Sequence, residues 1–331
     1  MKDKVKTENV FNRFFEKSKQ NFIIVGALGV LVLLFYLLNP NFLNEYNVIS
    51  MAQSLTPYAI MGLGVTFAIA TGGIDLSIGT VCIASSVVAG KLFTNGIIPL
   101  WVTVPVMIAI GGLFGLINGL LIAKLKLPAF IATLGTMMVS RGLSAIIVNS
   151  PNVFYPTGTA FNKVFSNYNG FPSGVIWVGV FMLLCMYLMY KNRVGRYILS
   201  IGSNEEATRL SGISTDKYKI IAYVLTGLGA GIAAVFWSSS FVTVASATGN
   251  GMELDAIAGV YIGGTSAAGG VASVGGSVIG AAMLVVIRSG LNFVLAKYNV
   301  SVNSTYVTYV LTGVIVVLSV LIDILKNKKK K

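Results

Sequence analysis

Apolar runs, most of them close to the length that crosses a bilayer, follow one another along most of this 331-residue chain. Hydrophobic residues make up 55% of the sequence and charged residues only 11%, against about a quarter charged in soluble domains. Lipid offers no partner to backbone N–H and C=O groups, so each run must satisfy its own hydrogen bonds as a helix. The sequence therefore predicts an all-α, polytopic membrane protein.

Ten runs are predicted to enter the membrane as helices, some of them short or broken. They lie at residues 22–38, 55–71, 78–94, 98–123, 128–149, 174–190, 218–238, 254–268, 272–296 and 305–325. Residues 1–21 are basic and amphipathic, which favours a helix on the cytoplasmic membrane surface. The predicted organisation is thus this segment, a transmembrane domain over residues 22–325 with a cytoplasmic loop at 191–217, and a lysine tail at 326–331.

Basic residues set the orientation, because cytoplasmic loops of membrane proteins carry an excess of Lys and Arg. With both termini in the cytoplasm and ten alternating spans, all but five of the 24 basic residues lie on the inner side. Lys91, Lys163 and Lys297 fall outside, and Arg141 and Arg288 fall within spans. The net charge of +13 therefore reflects topology, and no nucleic-acid partner is expected.

The stretch at residues 62–80, GLGVTFAIATGGIDLSIGT, interrupts the apolar pattern with Gly72, Gly73 and a lone carboxylate at Asp75. Non-helical backbone and a charge at membrane depth are tolerated only where protein or a water-filled cavity surrounds them. Asp75 either caps the helix that follows or lines a gate of a transport path. Similar glycine pairs, at Gly263-Gly264 and Gly269-Gly270, are candidates for gating or close packing.

Other polar residues within spans are also candidates for a substrate path. An unpaired arginine near the bilayer centre costs at least about 2.5–3.5 kcal/mol. Arg141 and Arg288 therefore either reach toward the outer interface or line the path, with Asn118 and Asn292 as further lining candidates. The acidic residues Glu253 and Asp255 are expected near the outer face.

Several kinds of chemistry are excluded by the residues themselves. The chain has no histidine and two cysteines, both inside apolar runs, which argues against catalytic triads and Cys/His metal sites. It contains no GxxxxGK[ST] phosphate-binding loop. We therefore expect no enzyme activity and no cofactor in this chain, and the energy for transport must come from another subunit or an ion gradient.

The loop at residues 191–217 contains GSNEEATRLSGI, in which Ser203 or Asn204 precedes two glutamates and Gly212 closes the segment. A side-chain cap, acids in the first turn and a terminal glycine are typical of a short helix. Either it is a solvated linker or it contacts a cytoplasmic partner.

Here the sequence resembles a known family. Glu206-Ala207-Thr208 followed by Gly212 is similar to the EAA-x-x-x-G pattern of permease subunits in ATP-binding-cassette importers. The stretches at 62–80, 115–137 and 253–292 resemble permeases for ribose and related monosaccharides. Thr208 departs from the second alanine of the pattern, and Tyr261 stands where smaller residues are commoner.

The resemblance implies a permease subunit in the bacterial inner membrane that imports a monosaccharide. Its partners would be a second permease chain, forming a homodimer, an extracytoplasmic sugar-binding protein, and a cytoplasmic ATPase that binds ATP and Mg²⁺. Glu205, Glu206, Ala207 and Gly212 would form the loop that couples to the ATPase. The alternative is an ion-coupled secondary transporter of a small polar solute, which needs embedded acids or unwound carbonyl sites.

Overall fold

The computed structural model describes the backbone of residues 10–148, 152–249, 251–299 and 304–328. Its helices are α1 (Val10–Leu38), α2 (Glu45–Ala70), α3 (Ile78–Thr94), α4 (Thr103–Ala123), α5 (Ala129–Val148), α6 (Ala160–Phe165), α7 (Gly174–Met186), α8 (Arg193–Ser203), α9 (Glu205–Leu210), α10 (Thr215–Ser240), α11 (Met252–Ile262), α12 (Val274–Lys297) and α13 (Ser304–Lys328). Two short strands, β1 (Asn152–Phe154) and β2 (Thr243–Ala245), pair antiparallel. The lysine tail at residues 329–331 and the first nine residues lie outside the described residues.

Six helical stretches among the described residues are long and apolar enough to cross a membrane. They are Glu45–Ala70, Leu100–Ala123, Ala129–Ile147, Gly174–Lys191, Thr215–Ser240 and Val274–Lys297, with shorter apolar helices at Phe22–Leu38, Ile78–Thr94 and Tyr306–Leu318. Apart from the small strand pair, all regular secondary structure in the described residues is helical. The prediction of an all-α polytopic membrane protein is confirmed.

Two elements differ from the sequence prediction in extent. The described part of the amphipathic segment, residues 10–21, and the first apolar run form one continuous helix, α1, of 29 residues. The run predicted at 254–268 forms only α11, whose 11 residues span about 16 Å at about 1.5 Å per residue. Because the hydrocarbon core is about 30 Å thick, α11 covers only part of its depth. It ends where Gly264 adopts a positive φ of 90°.

The core of the bundle is built around α2 and α10, which are buried over most of their length. Glycines allow α4 to approach α10 at backbone distance: a Cβ at Gly111 would come within 2.3 Å of the Gly227 carbonyl oxygen. A Cβ at Gly115 would come within 2.4 Å of the Tyr223 carbonyl oxygen. Small residues at four-residue spacing serve the same purpose in other membrane helix pairs.

The glycine pairs singled out in the sequence meet at two helix contacts. Gly263 packs on α12, where a Cβ would come within 2.3 Å of the Gly276 carbonyl carbon. Gly72, Gly269 and Gly270 all have positive φ and surround the end of α2, and the Gly270 N–H donates to the Ala70 carbonyl at 3.0 Å. Gly73 lies against the Tyr223 hydroxyl, which leaves no space for a side chain. These glycines therefore pack the turns that follow α2 and α11.

Candidate functional site

Asp75 lies fully buried in the turn between α2 and α3. Its Oδ1 accepts hydrogen bonds from the Ser77 backbone N–H at 2.8 Å and the Ser77 hydroxyl at 2.6 Å. The Asn118 amide of α4 donates to Asp75 Oδ2 at 3.3 Å and to the Ser77 hydroxyl at 2.9 Å. Asp75 therefore organises the turn ahead of α3, two residues before the Ser77 that precedes Ile78.

The hydrogen bonds around Asp75 continue into α5. Thr136 donates to the Asn118 side-chain oxygen at 2.7 Å, and the Thr133 hydroxyl approaches the Ile74 carbonyl at 3.4 Å. We call Asp75, Ser77, Asn118 and Thr136 the Asp75 cluster. Its four members are at most 7% exposed, and each has protein partners. A network closed in this way joins α3, α4 and α5 and satisfies its own polar groups.

Arg288 of α12 lies in a second polar region, which the structure builds from helices distant in sequence. Its guanidinium forms an ion pair with Asp255 of α11 and donates to the Tyr58 hydroxyl of α2 at 3.0 Å. The same guanidinium lies 5.5 Å from the centre of the Tyr58 ring. The charge that sequence reasoning left unpaired is thus neutralised by an acid from a neighbouring helix.

The depth of this ion pair follows from helix geometry. Arg288 lies about 21 Å from the first residue of α12 and about 14 Å from its last, at about 1.5 Å per residue. Glu253 and Asp255 are predicted near the outer face, which stays a prediction, and both side chains are buried within the protein. The start of α11 packs on the first turn of α3, where a Cβ at Gly79 would come within 2.7 Å of the Glu253 N atom. Both acids are therefore buried where the start of α11 packs against the first turn of α3.

A cavity of about 310 Å³ opens beside Arg288, between α2, α10 and α12. We call it the Arg288 groove. It is lined by Asn47, Ser50, Met51, Ser54, Tyr58, Trp237, Phe241, Val285, Arg288, Ser289, Asn292 and Phe293. Two of the substrate-path candidates, Arg288 and Asn292, therefore face one cavity. The lining alternates hydroxyl and amide groups with aromatic rings.

Arg141 of α5 lies away from the groove. Its Nε is buried and has no hydrogen-bond partner among the described residues, and the same holds for Oε2 of Glu253. The Arg141 guanidinium interacts electrostatically with the Glu253 carboxylate. Oε1 of Glu253 accepts a 3.3 Å hydrogen bond from the Gly251 N–H. Arg141 thus belongs to the surroundings of the α11 N-terminus and is separate from Arg288.

The loop between α7 and α10 folds as α8 and the short helix α9. Asn204 caps α9, accepting from the Ala207 N–H at 2.9 Å, and Gly212 ends the segment with a φ of 80°. Glu205 pairs with Lys219 of α10 at 2.6 Å. Glu206 is 3.7 Å from Arg209, and both side chains are largely exposed. A neighbouring cavity of about 460 Å³ is lined by Glu205, Glu206 and Arg209, among others.

A second contact links this loop to the bundle. Gly202, near the end of α8, packs so closely on the end of α2 that a Cβ would come within 2.0 Å of the Ala70 carbonyl oxygen. The same Cβ would come within 2.4 Å of the Gly270 N atom. A displacement of α8 and α9 would therefore press directly on the turns that follow α2 and α11.

Some residues of these regions were not singled out from the sequence. Tyr58 and Trp237 were missed because aromatic residues are common in apolar helices. One signal for them was present in the sequence. Ser50, Ser54 and Tyr58 recur every four residues on α2, and Arg288 and Asn292 have the same spacing on α12. Residues at this spacing lie on one face of a helix. Within the described ranges, no group of three or more Cys, Asp or Glu residues is arranged to hold a metal ion.

Comparison with known proteins extends over nearly the whole chain. Residues 47–320 match the model of a family described as the permease component of branched-chain amino acid transport systems. The chain is 36% identical to the ribose import permease protein of Escherichia coli K12, over 96% of this chain and 97% of that protein. It is 34% identical to the L-arabinose transport system permease protein of the same strain, over 92% of each chain.

A galactose/methyl galactoside import permease protein of Haemophilus influenzae is 30% identical, over 97% of this chain and 98% of the relative. No solved structure matches the chain. The resemblance drawn from the loop and the three glycine-rich stretches is confirmed. The chain is a multi-pass protein of the bacterial inner membrane, and it belongs to the family of binding-protein-dependent transport permeases to which the sugar import permeases belong.

Proposed function

We propose that this chain is the membrane-spanning permease of an ATP-driven importer for ribose or a closely similar monosaccharide. The observation that carries the proposal is the similarity to ribose, galactose and arabinose permeases along nearly the full length of each chain. The chain itself performs no covalent chemistry. ATP and Mg²⁺ bind to a partner ATPase, and the ion-coupled alternative is not favoured by any of these relatives.

The proposed topology has ten membrane-entering helices, both termini in the cytoplasm, and a transmembrane domain over residues 22–325. Six long apolar helices and three shorter ones support it. The tenth helix, α11, enters the membrane without crossing it. The basic residues at the ends and between α7 and α10 support the orientation. Residues 1–21 and 326–331 would then be cytoplasmic segments that flank the domain.

The proposed partners are a second copy of this chain, a cytoplasmic ATPase and an extracytoplasmic sugar-binding protein. Glu205, Glu206, Ala207 and Gly212 would form the contact with the ATPase. The capped, exposed helix α9 supports this, since it stands beside a cavity. The preceding helix α8 packs through Gly202 against Ala70 and Gly270. Movement of α9 would reach α10 through the Glu205–Lys219 ion pair.

The proposed substrate path passes the Arg288 groove, with Arg288 and Asn292 in its lining. The cavity and its polar side chains support this assignment. Asp75 and Asn118 stood as path candidates too, but the closed network around them favours the structural alternative. Arg141 stays a candidate for a deeper part of the path, near Glu253.

Co-purification and ATP hydrolysis in nanodiscs test the proposal. The wild-type chain is assembled with its ATPase and compared with the double variant Glu206→Ala/Gly212→Pro, with and without the ribose-loaded binding protein. Proline fixes φ near −65° and cannot adopt the positive φ at Gly212, so the contact loop is disrupted. Ser200→Ala, in α8 of the same loop, is the matched control.

The proposal predicts a stable complex whose ATP hydrolysis is stimulated by the loaded binding protein, in wild type and control. The double variant is expected to fold and insert but to lose both association and stimulation. Uptake of ribose by the chain alone, driven by a proton or sodium gradient without ATP, would replace the proposal with the secondary-transporter alternative.

A further inference from the structure

A tight hairpin directly before α7, at residues 168–171, presents two aromatic side chains to the outside of the protein. Tyr168 and Phe171 form an antiparallel bridge, in which each backbone N–H donates to the other's carbonyl, at 2.8 and 3.0 Å. Asn169 and Gly170 between them have φ values of 51° and 91°. Positive φ at both central residues is typical of a type I′ turn, and the Asn167 side chain closes it by accepting from the Gly170 N–H at 2.8 Å. We call residues 168–171 the aromatic hairpin.

The two rings of the aromatic hairpin stand beside each other. Residues directly opposite in an antiparallel pair place their side chains on the same face. Tyr168 is 57% exposed and Phe171 is 54% exposed. Contact of large apolar rings with water is unfavourable, and an adjacent pair is more than the single exposed apolar residue that is normal on a protein surface. The hairpin therefore has an apolar face that another surface can cover.

Further exposed aromatic residues lie at the starts of α7 and α4. Trp177, in the first turn of α7, is exposed, and its indole N–H donates to the Val164 carbonyl at 3.0 Å. Trp101, just before α4, is also exposed. Both indole rings pack on Phe165, with centroids 5.7 and 6.1 Å from it. Lys163 in α6 is exposed beside Val164. Trp and Tyr concentrate where membrane helices meet the headgroup region, and Lys can extend its ammonium toward the phosphates there.

The surface that continues from the hairpin along α7 indicates what covers the rings. α7 begins three residues after Phe171, and its exposed residues are all apolar, among them Ile176, Val180 and Leu183. The stretch Gly174–Lys191 is long and apolar enough to cross a membrane, and most of it is not covered by protein. Its 18 residues span about 27 Å at about 1.5 Å per residue, close to the hydrocarbon thickness of about 30 Å. The residues just before α7 are therefore at the boundary between acyl chains and headgroups.

We propose that the aromatic hairpin is a lipid-binding anchor, which inserts its two rings between the acyl chains and the headgroups of the leaflet where α7 begins. By the proposed topology this is the outer leaflet. The Phe171 ring suits the upper acyl chains, while the Tyr168 hydroxyl and the nearby Lys163 ammonium suit glycerol and phosphate oxygens. A protein partner would approach from water, whereas these rings adjoin a helix whose exposed side is apolar. The anchor would hold the start of α7 at a fixed depth.

Spin labelling of the full-length chain measures that depth, in nanodiscs of phosphatidylcholine and phosphatidylglycerol. A nitroxide is attached to Tyr168→Cys or to Phe171→Cys, and each variant leaves the other ring in place. The native Cys82 and Cys185 are buried and are protected from the label. Depth follows from two accessibilities of the nitroxide, to O₂, which concentrates in hydrocarbon, and to a water-soluble nickel complex.

Two matched variants provide the reference values. Leu183→Cys lies on the exposed side of α7 and reports hydrocarbon. Leu210→Cys lies on the exposed side of α9, in the loop between α7 and α10, and reports water. The same labels are then measured in the complete complex with the ATPase, before and after addition of the ribose-loaded binding protein.

We expect both hairpin labels to give a ratio of O₂ to nickel accessibility between the two references. Leu183 lies nine residues after Gly174, so the hairpin labels should lie about 14 Å shallower than Leu183→Cys, at about 1.5 Å per residue. Addition of the binding protein should leave their accessibilities unchanged.

A ratio equal to that of Leu210→Cys would place the hairpin in water and overturn the inference. A ratio equal to that of Leu183→Cys would place it in the hydrocarbon core and overturn the interfacial assignment. Loss of accessibility to both reagents on adding the binding protein would identify the binding protein as the occupant instead of lipid. Failure of the proposed function looks different, because the wild-type complex would then show no ATP hydrolysis stimulated by the binding protein, whatever the depth of the labels.

Discussion

The Asp75 cluster and the Arg288 groove both hold polar side chains among apolar helices, but they satisfy them differently. In the cluster, Asp75, Ser77, Asn118 and Thr136 form a chain of hydrogen bonds with one another. In the groove, Arg288 is paired with Asp255, and hydroxyl and amide side chains line a cavity of about 310 Å³.

The difference teaches how to separate structural from ligand-binding polar residues inside a membrane. A buried polar group must find a partner, so one that is satisfied by the protein fixes helix positions. One that the protein leaves unsatisfied beside a cavity is available to a solute. By this criterion, Asp75 and Asn118 hold α3, α4 and α5 together, and the groove is the proposed place for substrate.

The largest effect on stability is expected from breaking the Arg288 ion pair. Arg288→Met leaves the Asp255 carboxylate buried without its partner, which should lower the free energy of unfolding by about 3–5 kcal/mol. The double variant Arg288→Met/Asp255→Leu should recover most of it, since an apolar pair carries no desolvation cost. Thermal unfolding in detergent measures both, using a thiol-reactive dye that reports exposure of the buried Cys82 and Cys185. Equal unfolding temperatures for the single variant and wild type would show that the pair is not structural.

A somewhat smaller effect is expected in the Asp75 cluster. Asp75→Ala removes the acceptor of the Ser77 N–H, while the Asn118 amide keeps its hydrogen bond to the Ser77 hydroxyl, so the total cost should be roughly 1–3 kcal/mol. Asp75→Asn keeps an acceptor oxygen and should cost less. The same dye assay ranks the variants. If Asp75→Ala unfolds like wild type yet abolishes transport, the cluster lines the substrate path, and the structural role assigned to it is contradicted.

Filling the groove should separate transport from stability. Ser54→Leu places a larger side chain in the cavity and removes no protein hydrogen bond, so stability should change by less than about 0.5 kcal/mol. Ribose import should fall roughly tenfold, equivalent to about 1.4 kcal/mol of lost binding. Ser54→Ala, which only enlarges the cavity, serves as the control. Loss of stability together with import would mean that the groove is packed core.

A small effect on stability is also expected outside both regions, in the loop between α7 and α10. Lys219→Ala removes the ion pair with Glu205, whose side chain is 44% exposed, so the loss should stay below about 1 kcal/mol. Stimulation of ATP hydrolysis by the loaded binding protein should nevertheless fall, because α9 loses its tie to α10. Lys217→Ala, two residues earlier, is the control. Full stimulation in Lys219→Ala would show that the signal passes elsewhere, for instance through Gly202.

The sequence was sufficient for the membrane class, for most of the long apolar helices and for the end of α2 near Gly72, since apolar run length and glycine pairs are local signals. The prediction of the capped helix α9 also depended on local signals, because Asn204 and Gly212 flank the helix. The Arg288–Asp255 pair could not be foreseen, because it depends on how α11 and α12 meet. The early end of α11 could not be predicted either, because its apolar run continues beyond the turn that ends the helix.

Accessibility of single cysteines compares the two regions most directly. Ser54→Cys in the groove and Thr136→Cys in the Asp75 cluster are exposed to a membrane-impermeant thiol reagent while the complex hydrolyses ATP. The account predicts labelling of Ser54→Cys that slows when ribose-loaded binding protein is present, and no labelling of Thr136→Cys. Ribose-protected labelling at Thr136→Cys with none at Ser54→Cys would place the substrate path through the Asp75 cluster and contradict the account.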